Sequence, residues 1–342
     1  MSLTGVLPRL RVETIPGSAT RPWTAAGGSA VRDLLNSVYR WIVRRDLRAL
    51  ARAWQAGDQD LLGRLGEKQR RTYALFDGGM ANVVHPDLAA ADLTPGAART
   101  HWIGAETPSG GVLLYVPGGS FVSRRSPRVT AFICRLARAS GLRVMVADYR
   151  LAPEHPYPAA PEDVVAAFDR LLAEGHAPGD IVVAAESAGA AVALSALFRL
   201  RDRGVTPAAI VLFSPWVDLA LTGWSMVTRG LTADSPFVME MLALCSRFYL
   251  GRLTPVDPMA SPLWGKFEGL PPLLIHTSRL DVLHDDATRL AERAAGAGVD
   301  TTLRIWPRGA HVFERYDGPE TDRSVLEASR FLRERLGLSE AA

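Results

Sequence analysis

"AAESAGAAVAL", residues 184–194, follows the apolar run that begins at Ile181 and leads into a long apolar stretch with helical spacing. The reading is strand, then serine, then helix. Ser187 sits at the junction, with Ala185 two positions before it and Gly189 two positions after. A turn this tight between a strand and a helix lifts the serine hydroxyl clear of the sheet, and bulk two positions away on either side would clash. The helix that starts there also directs its N–H groups and its dipole toward the same point. By itself Ala-x-Ser-x-Gly is a weak signal, because small residues around a serine usually mean only close packing. The flanking sequence has to decide.

Working outward, strand-like runs at 99–104, 111–116, 142–147, 180–185, 208–213, 272–277 and 301–306 alternate with helical patterns at 127–139, 161–174, 187–203, 285–297 and 322–336. Alternation of this kind predicts an α/β fold with a mostly parallel, doubly wound sheet flanked by helices. Residues 215–265 interrupt it with no clear strand. There Ser235 and Pro236 form a helix-start signal, and Phe237, Val238, Met241, Leu242, Cys245, Phe248 and Tyr249 repeat at helical spacing. This predicts a helical insertion. Residues 30–56 form a second helical pattern, with Val31, Leu34, Leu35, Val38, Tyr39, Ile42 and Val43 in one stripe bordered by arginines. A basic amphipathic helix can lie on a membrane, but packing on its own protein is the simpler expectation. The expected organisation is an N-terminal helical cap segment (1–75), a core in two parts (76–214 and 266–342) and a helical cap insertion between them (215–265).

Ligands of open parallel sheets sit beyond the carboxyl ends of the strands, so the residues just after each strand carry the most information. A serine hydroxyl needs a base to become a nucleophile. His311 follows the last strand in "WPRGAHVFERY", on a glycine-containing loop. An acid must orient that histidine, and Asp281 follows the strand 272–277 in "IHTSRLDVLHDD", with Asp285 as the fallback. The order Ser187, Asp281, His311 is the one this kind of sheet imposes. A tetrahedral oxyanion needs donors already in place. "YVPGGSFVSRRS", residues 115–126, opens a strand into Pro117-Gly118-Gly119-Ser120, where a loop can present bare N–H groups, and Ala188 after the serine supplies another. His276, His284, Asp285 and Asp286 near Asp281 lack metal-ligand spacing and read as a solvated acidic helix start. No metal and no organic cofactor is expected.

Longer stretches then fix a family. "DYRLAPEHPYPAAPEDV" (148–164), "DPMASPLWG" (257–265), "GLPPLLIHTSRLDVLHDD" (269–286) and "WPRGAHVF" (306–313) closely resemble the hormone-sensitive-lipase-like branch of the α/β-hydrolase carboxylesterases. The resemblance runs from about residue 98 to 337. It implies the α/β-hydrolase fold with a helical cap, Ser187 as nucleophile, Asp281 as acid and His311 as base. It also implies an oxyanion loop held by Gly118, Gly119 and Ser120, with Ala188 completing the hole. Phe121, Trp216 and Val312 are candidates for the substrate pocket, although core packing explains an aromatic residue there equally well. The family commonly pairs its last strand, here 301–306, with a second copy, so a homodimer through that edge is expected. The sequence departs from the family at Pro117 and Ser120, where His-Gly-Gly-Gly is usual, and at Ala185, Glu186 and Ala190 around the serine.

Composition narrows the partners. The 342 residues carry a net charge of only +3, and of 39 basic residues only Lys68 and Lys266 are lysines. The arginines are dispersed, which argues against nucleic acid. No apolar run reaches the length of a membrane span, the first residues show no secretory h-region, and Cys134 and Cys245 fall in apolar helical patterns. A cytoplasmic protein with free thiols and no stable membrane insertion is expected. The expected function is hydrolysis of short to medium acyl esters of a fairly hydrophobic small molecule through an acyl-enzyme. The alternatives are a lactone hydrolase, an acyltransferase, or a non-catalytic ligand-binding homologue with an altered oxyanion loop.

Overall fold

The structure, a computed structural model, describes residues 9–15, scattered positions between 45 and 64, residues 89–90, 99–104, 110–230 and 239–339. The basic helical pattern at 30–56, the 1–75 cap segment and the Ser235–Pro236 helix start lie wholly or largely outside the described residues.

Among the described residues, nine strands form one sheet: β1 (Leu10–Thr14), β2 (Ala89–Ala90), β3 (Arg99–Ile103), β4 (Val112–Val116), β5 (Arg143–Asp148), β6 (Ile181–Glu186), β7 (Ala209–Phe213), β8 (Leu273–Ser278) and β9 (Thr301–Trp306). Their spatial order is β1-β9-β8-β7-β6-β4-β5-β3-β2. All pairings from β1 to β5 across that order are parallel, and β3 and β2 continue it antiparallel. Strands β4, β6, β7 and β8 are buried along their whole length. Burial on both faces explains their continuous Val, Ile, Leu and Ala runs.

The helices between strands divide by face. On one side α1 (Pro127–Ser140) and the C-terminal α7 (Pro319–Arg335) pack through Phe132, Ile133, Leu136, Val325, Ala328 and Leu332. On the other lie α2 (Ala159–Ala173), α3 (Ala188–Asp202) and α6 (His284–Gly296), in one core with α5 (Met239–Leu250). Helix α3 is apolar nearly all round, as a helix in the middle of the core must be. Between β7 and β8 the described residues hold two α-helices, α4 (Trp224–Gly230) and α5.

Strand β1 changes one expectation. It runs parallel to β9 over five residue pairs from Leu10–Thr301 to Thr14–Ile305, reinforced by ion pairs of Arg11 with Asp300 and Arg304 with Glu13. The edge of the last strand, expected to receive a second copy, is already hydrogen-bonded within the chain.

The crossover pattern places the site. Strand β4 leads to β5 on one side, and the chain then crosses back so that β6 lies on the other side of β4. That reversal opens a crevice at the carboxyl ends of β4 and β6. The loop Pro117–Ser120 follows β4, and Ser187 follows β6.

Candidate active site

Ser187 adopts φ 51° and ψ −128° at the junction of β6 and α3. Its N–H donates to Phe213 O (3.0 Å), and its carbonyl accepts from Trp216 N (3.0 Å) and Ala190 N (3.0 Å). Gly189 is required by proximity: a Cβ there would lie 2.3 Å from Val116 O and 2.6 Å from Pro117 O. Bringing α3 that close to the end of β4 sets the serine beside the Pro117–Ser120 loop. Six described non-glycine residues have positive φ, and five of them surround this point: Ser120, Phe121, Ser187, Ser214 and Val312. Each costs on the order of 1–2 kcal/mol, and such strain gathers where geometry serves function.

The structure brings the three sequence-predicted residues together. His311 Nε2 lies 2.8 Å from Ser187 Oγ. On the other side of the ring, Nδ1 lies 3.0 Å and 3.2 Å from the two carboxylate oxygens of Asp281. Asp281 is fully buried and accepts a further bond from Leu283 N at 2.9 Å. Burial alone would raise its pKa. The charge and hydrogen bond of His311, with bonds from the Ser214 hydroxyl and Leu283 N–H, outweigh that and hold it below the usual carboxylate range. Asp281 is therefore an acceptor only at neutral pH. The fallback acid is elsewhere: Asp285 accepts from Ser225 N at 2.9 Å.

The acidic run after Asp281 is not a solvated helix start. Asp286 is fully buried, and one of its oxygens accepts from both Val217 N and Asp218 N at 2.9 Å. Burial pushes its carboxyl up to about 8. Asp218, also buried, pairs with Arg289 at 2.9 Å and accepts from Trp264 Nε1 at 3.1 Å. These carboxyls fasten the segment after β7 to α6. Helix-dipole reasoning found the helix terminus and missed the contact, which spans nearly seventy residues. No group of potential metal ligands occurs among the described residues.

The loop after β4 is held from three directions. Tyr149 Oη donates to Pro117 O at 2.9 Å, Gly118 N donates to Glu186 Oε1 at 3.2 Å, and Ala152 N donates to Phe121 O at 3.0 Å. Glu186 also accepts from Arg315 Nε at 2.9 Å. The carboxylate beside Ser187 thus joins the loop after β4 to the segment after His311. Gly118 uses its N–H inside the protein. The N–H groups of Gly119, Ser120 and Ala188 have no acceptor among the described residues. Tyr149 and Ala152 lie in the 148–164 stretch, so that stretch acts partly as the outer support of this loop.

Phe121, Trp216 and Val312 are buried beside these groups. Phe121 stacks on Tyr249 of α5 at 4.0 Å and tilts against Trp216 at 5.0 Å. Tyr249 was placed from sequence only in a helical stripe. Its ring stacks on the loop after β4 through Phe121.

Comparison with known proteins follows from this geometry. A family model described as alpha/beta hydrolase fold matches residues 113–315. The chain belongs to the α/β-hydrolase family. An acetyl-hydrolase of Streptomyces hygroscopicus is 40% identical over 248 residues, covering 72% of this chain and 83% of that protein. The carboxylesterase/phospholipase LipF of Mycobacterium tuberculosis is 33% identical over 73% of this chain and 69% of its own length. A crystal structure of an esterase from the bacterial hormone-sensitive lipase family superposes with a TM-score of 0.73 at 37% identity, covering 80% of this chain and 92% of that one. This α/β-hydrolase thus belongs to the hormone-sensitive-lipase-like branch, whose members act on ester bonds. No helix among its described residues is long and apolar enough to cross a membrane.

Proposed function

We propose that this α/β-hydrolase is a serine carboxylesterase acting on short to medium acyl esters of a fairly hydrophobic small molecule. One observation carries the reading: a single imidazole lies 2.8 Å from a strained, buried serine hydroxyl and 3.0 Å from a buried carboxylate. In this reading Ser187 Oγ attacks the acyl carbon while His311 Nε2 takes its proton. Asp281 accepts from Nδ1, which fixes the tautomer that leaves Nε2 free to act as base and stabilises the imidazolium that forms. Collapse of the tetrahedral adduct sends the alcohol away with the proton from His311. A water then attacks the acyl-enzyme, giving its proton to His311, and the acid leaves as Ser187 is restored. The N–H groups of Gly119, Ser120 and Ala188 are the proposed oxyanion donors. They suit the role because each lacks an acceptor among the described residues, whereas Gly118 is engaged by Glu186. The apolar surroundings of Phe121, Trp216 and Val312 favour an acyl group over a charged one.

The test is a chain-length series of p-nitrophenyl esters with wild type and Ser187→Ala. Turnover of short and medium esters, lost by several orders of magnitude in the folded variant, is the expected result. Equal turnover by Ser187→Ala, or organophosphonate labelling at another serine, would remove Ser187 as nucleophile.

A further inference from the structure

Ser214, which the sequence reading passed over, lies directly after β7, and the four residues Phe213–Trp216 reach Ser187, Asp281 and Val312, the residue after His311. Phe213 O accepts from Ser187 N, and Trp216 N donates to Ser187 O, both at 3.0 Å. The Ser214 hydroxyl accepts from Val312 N, the residue after His311, at 3.1 Å. The same hydroxyl also acts on the Asp281 side chain, as one of the groups that hold its carboxyl below the usual range. Since an ionised carboxylate can only accept, the hydroxyl hydrogen goes to Asp281, and a lone pair remains for Val312 N–H. Ser214 is 1% exposed and holds φ 46°, with its own N–H bound to His276 O at 2.8 Å. Its backbone is held in the left-handed region, an arrangement a serine adopts only under constraint from its surroundings.

We infer that Ser214 is a positioning residue for the proposed reaction: one hydroxyl fixes both the Asp281 carboxylate and the main chain that carries His311. This rests on the assignment of Asp281 and His311 above. The consequence is electrostatic as well as geometric. A donor on Asp281 takes up part of the carboxylate's charge. Without it, more of that charge acts on His311 and favours the imidazolium. The other charged groups around this pair are Glu314 and the Glu186–Arg315 ion pair toward the β6 side, with Arg229, bonded to Asp281 O, and His284 toward α4 and α6. None of these is altered by the substitution.

The experiment compares Ser214→Ala and Ser214→Gly with wild type and Ser187→Ala. Glycine accepts φ 46° without strain, so it removes the hydroxyl while relaxing the backbone, and it decides the matter if the alanine variant does not fold. Both folded variants should lose about 10- to 100-fold in kcat, with KM changed by no more than about twofold, as expected for a small misplacement of reacting groups. The acid limb of kcat/KM should move to higher pH by roughly half a unit or more. A hydroxyl that only satisfies Val312 N–H would lower thermal stability and leave kcat and the limb unchanged, and that result overturns the inference. The His311 imidazole titration, followed by NMR in wild type and variants, needs no turnover. An upward shift there supports the role of Ser214 even if no ester is hydrolysed, and an unmoved titration refutes it. Failure of the esterase reading shows instead in wild type and Ser187→Ala.

Discussion

Gly119→Ala is the smallest change that tests the proposed oxyanion loop. Gly119 has φ +135°, outside the regions open to residues with a Cβ. An added methyl would lie 2.3 Å from Ser123 O, where ordinary contact begins near 3.4 Å. The obstacle is backbone, and it is fixed there because Ser123 N and Val122 N both bond Gly119 O, at 2.8 and 3.1 Å. The gap of about an ångström can be made up only by opening that turn, which moves the N–H groups of Gly119 and Ser120 together. Loss of one oxyanion donor costs on the order of 10²–10³ in kcat, or about 2.7–4 kcal/mol. Gly119→Ala should therefore lose at least that factor in hydrolysis of a p-nitrophenyl ester. KM should stay within a few-fold, and Ser187 should react more slowly with an organophosphonate. Far-UV circular dichroism and the melting temperature report whether the fold survives. A folded Gly119→Ala enzyme within about threefold of wild-type kcat would refute the assignment of this loop to the oxyanion, since that assignment predicts the loss above.

Ser120→Gly should keep turnover within a few-fold, because it relieves a positive φ of 52° while leaving the N–H in place; a dead variant would mean that the hydroxyl takes part in chemistry or binding. Glu314 is buried, and burial, against its own backbone N–H and the Ser324 hydroxyl, pushes its carboxyl up to about 8. The folded state then holds a proton that the unfolded chain releases above its ordinary pKa, so stability is full at acid pH and falls as pH rises to about 8, by about 1.4 kcal/mol per unit within that window. Glu314→Gln should flatten this decline in melting curves taken from pH 5 to 9, and an unchanged slope would exclude Glu314 as its source. Tyr249→Ala removes a ring stacked at 4.0 Å on Phe121; a loss of about 3–5 kcal/mol in urea unfolding is expected, and a change below 1 kcal/mol would show that α5 is not anchored there.

The sheet was legible because its signals are local. Each buried strand is a short apolar run and each crossover helix has its own periodicity, so seven strands and five helices fall within a few residues of their expected limits. The residues Ser187, Asp281 and His311 were legible because each follows a strand end, where the fold puts functional groups. Ser214 obeys the same rule and was overlooked, since a serine before a proline also reads as a simple turn. Other contacts left no local trace. Glu186 looked like a departure from a family pattern, and only its bonds to Gly118 and Arg315 give it a part in the site. Asp286 looked like a helix-start residue because nothing near it in sequence announces the N–H groups of Val217 and Asp218. Strand β1 is five residues of mixed polarity, with an exposure pattern set by a neighbour almost three hundred residues away.

That last pairing ties Leu10 to Thr301, almost three hundred residues further along the chain. During synthesis β1 is made long before β9, the strand it pairs with. Until β9 appears, β1 has no native neighbour, and until β1 returns, β9 exposes a row of unpaired backbone groups. This seam therefore closes only after the almost three hundred residues between the two strands exist, and it closes the longest loop of any strand pairing in the sheet.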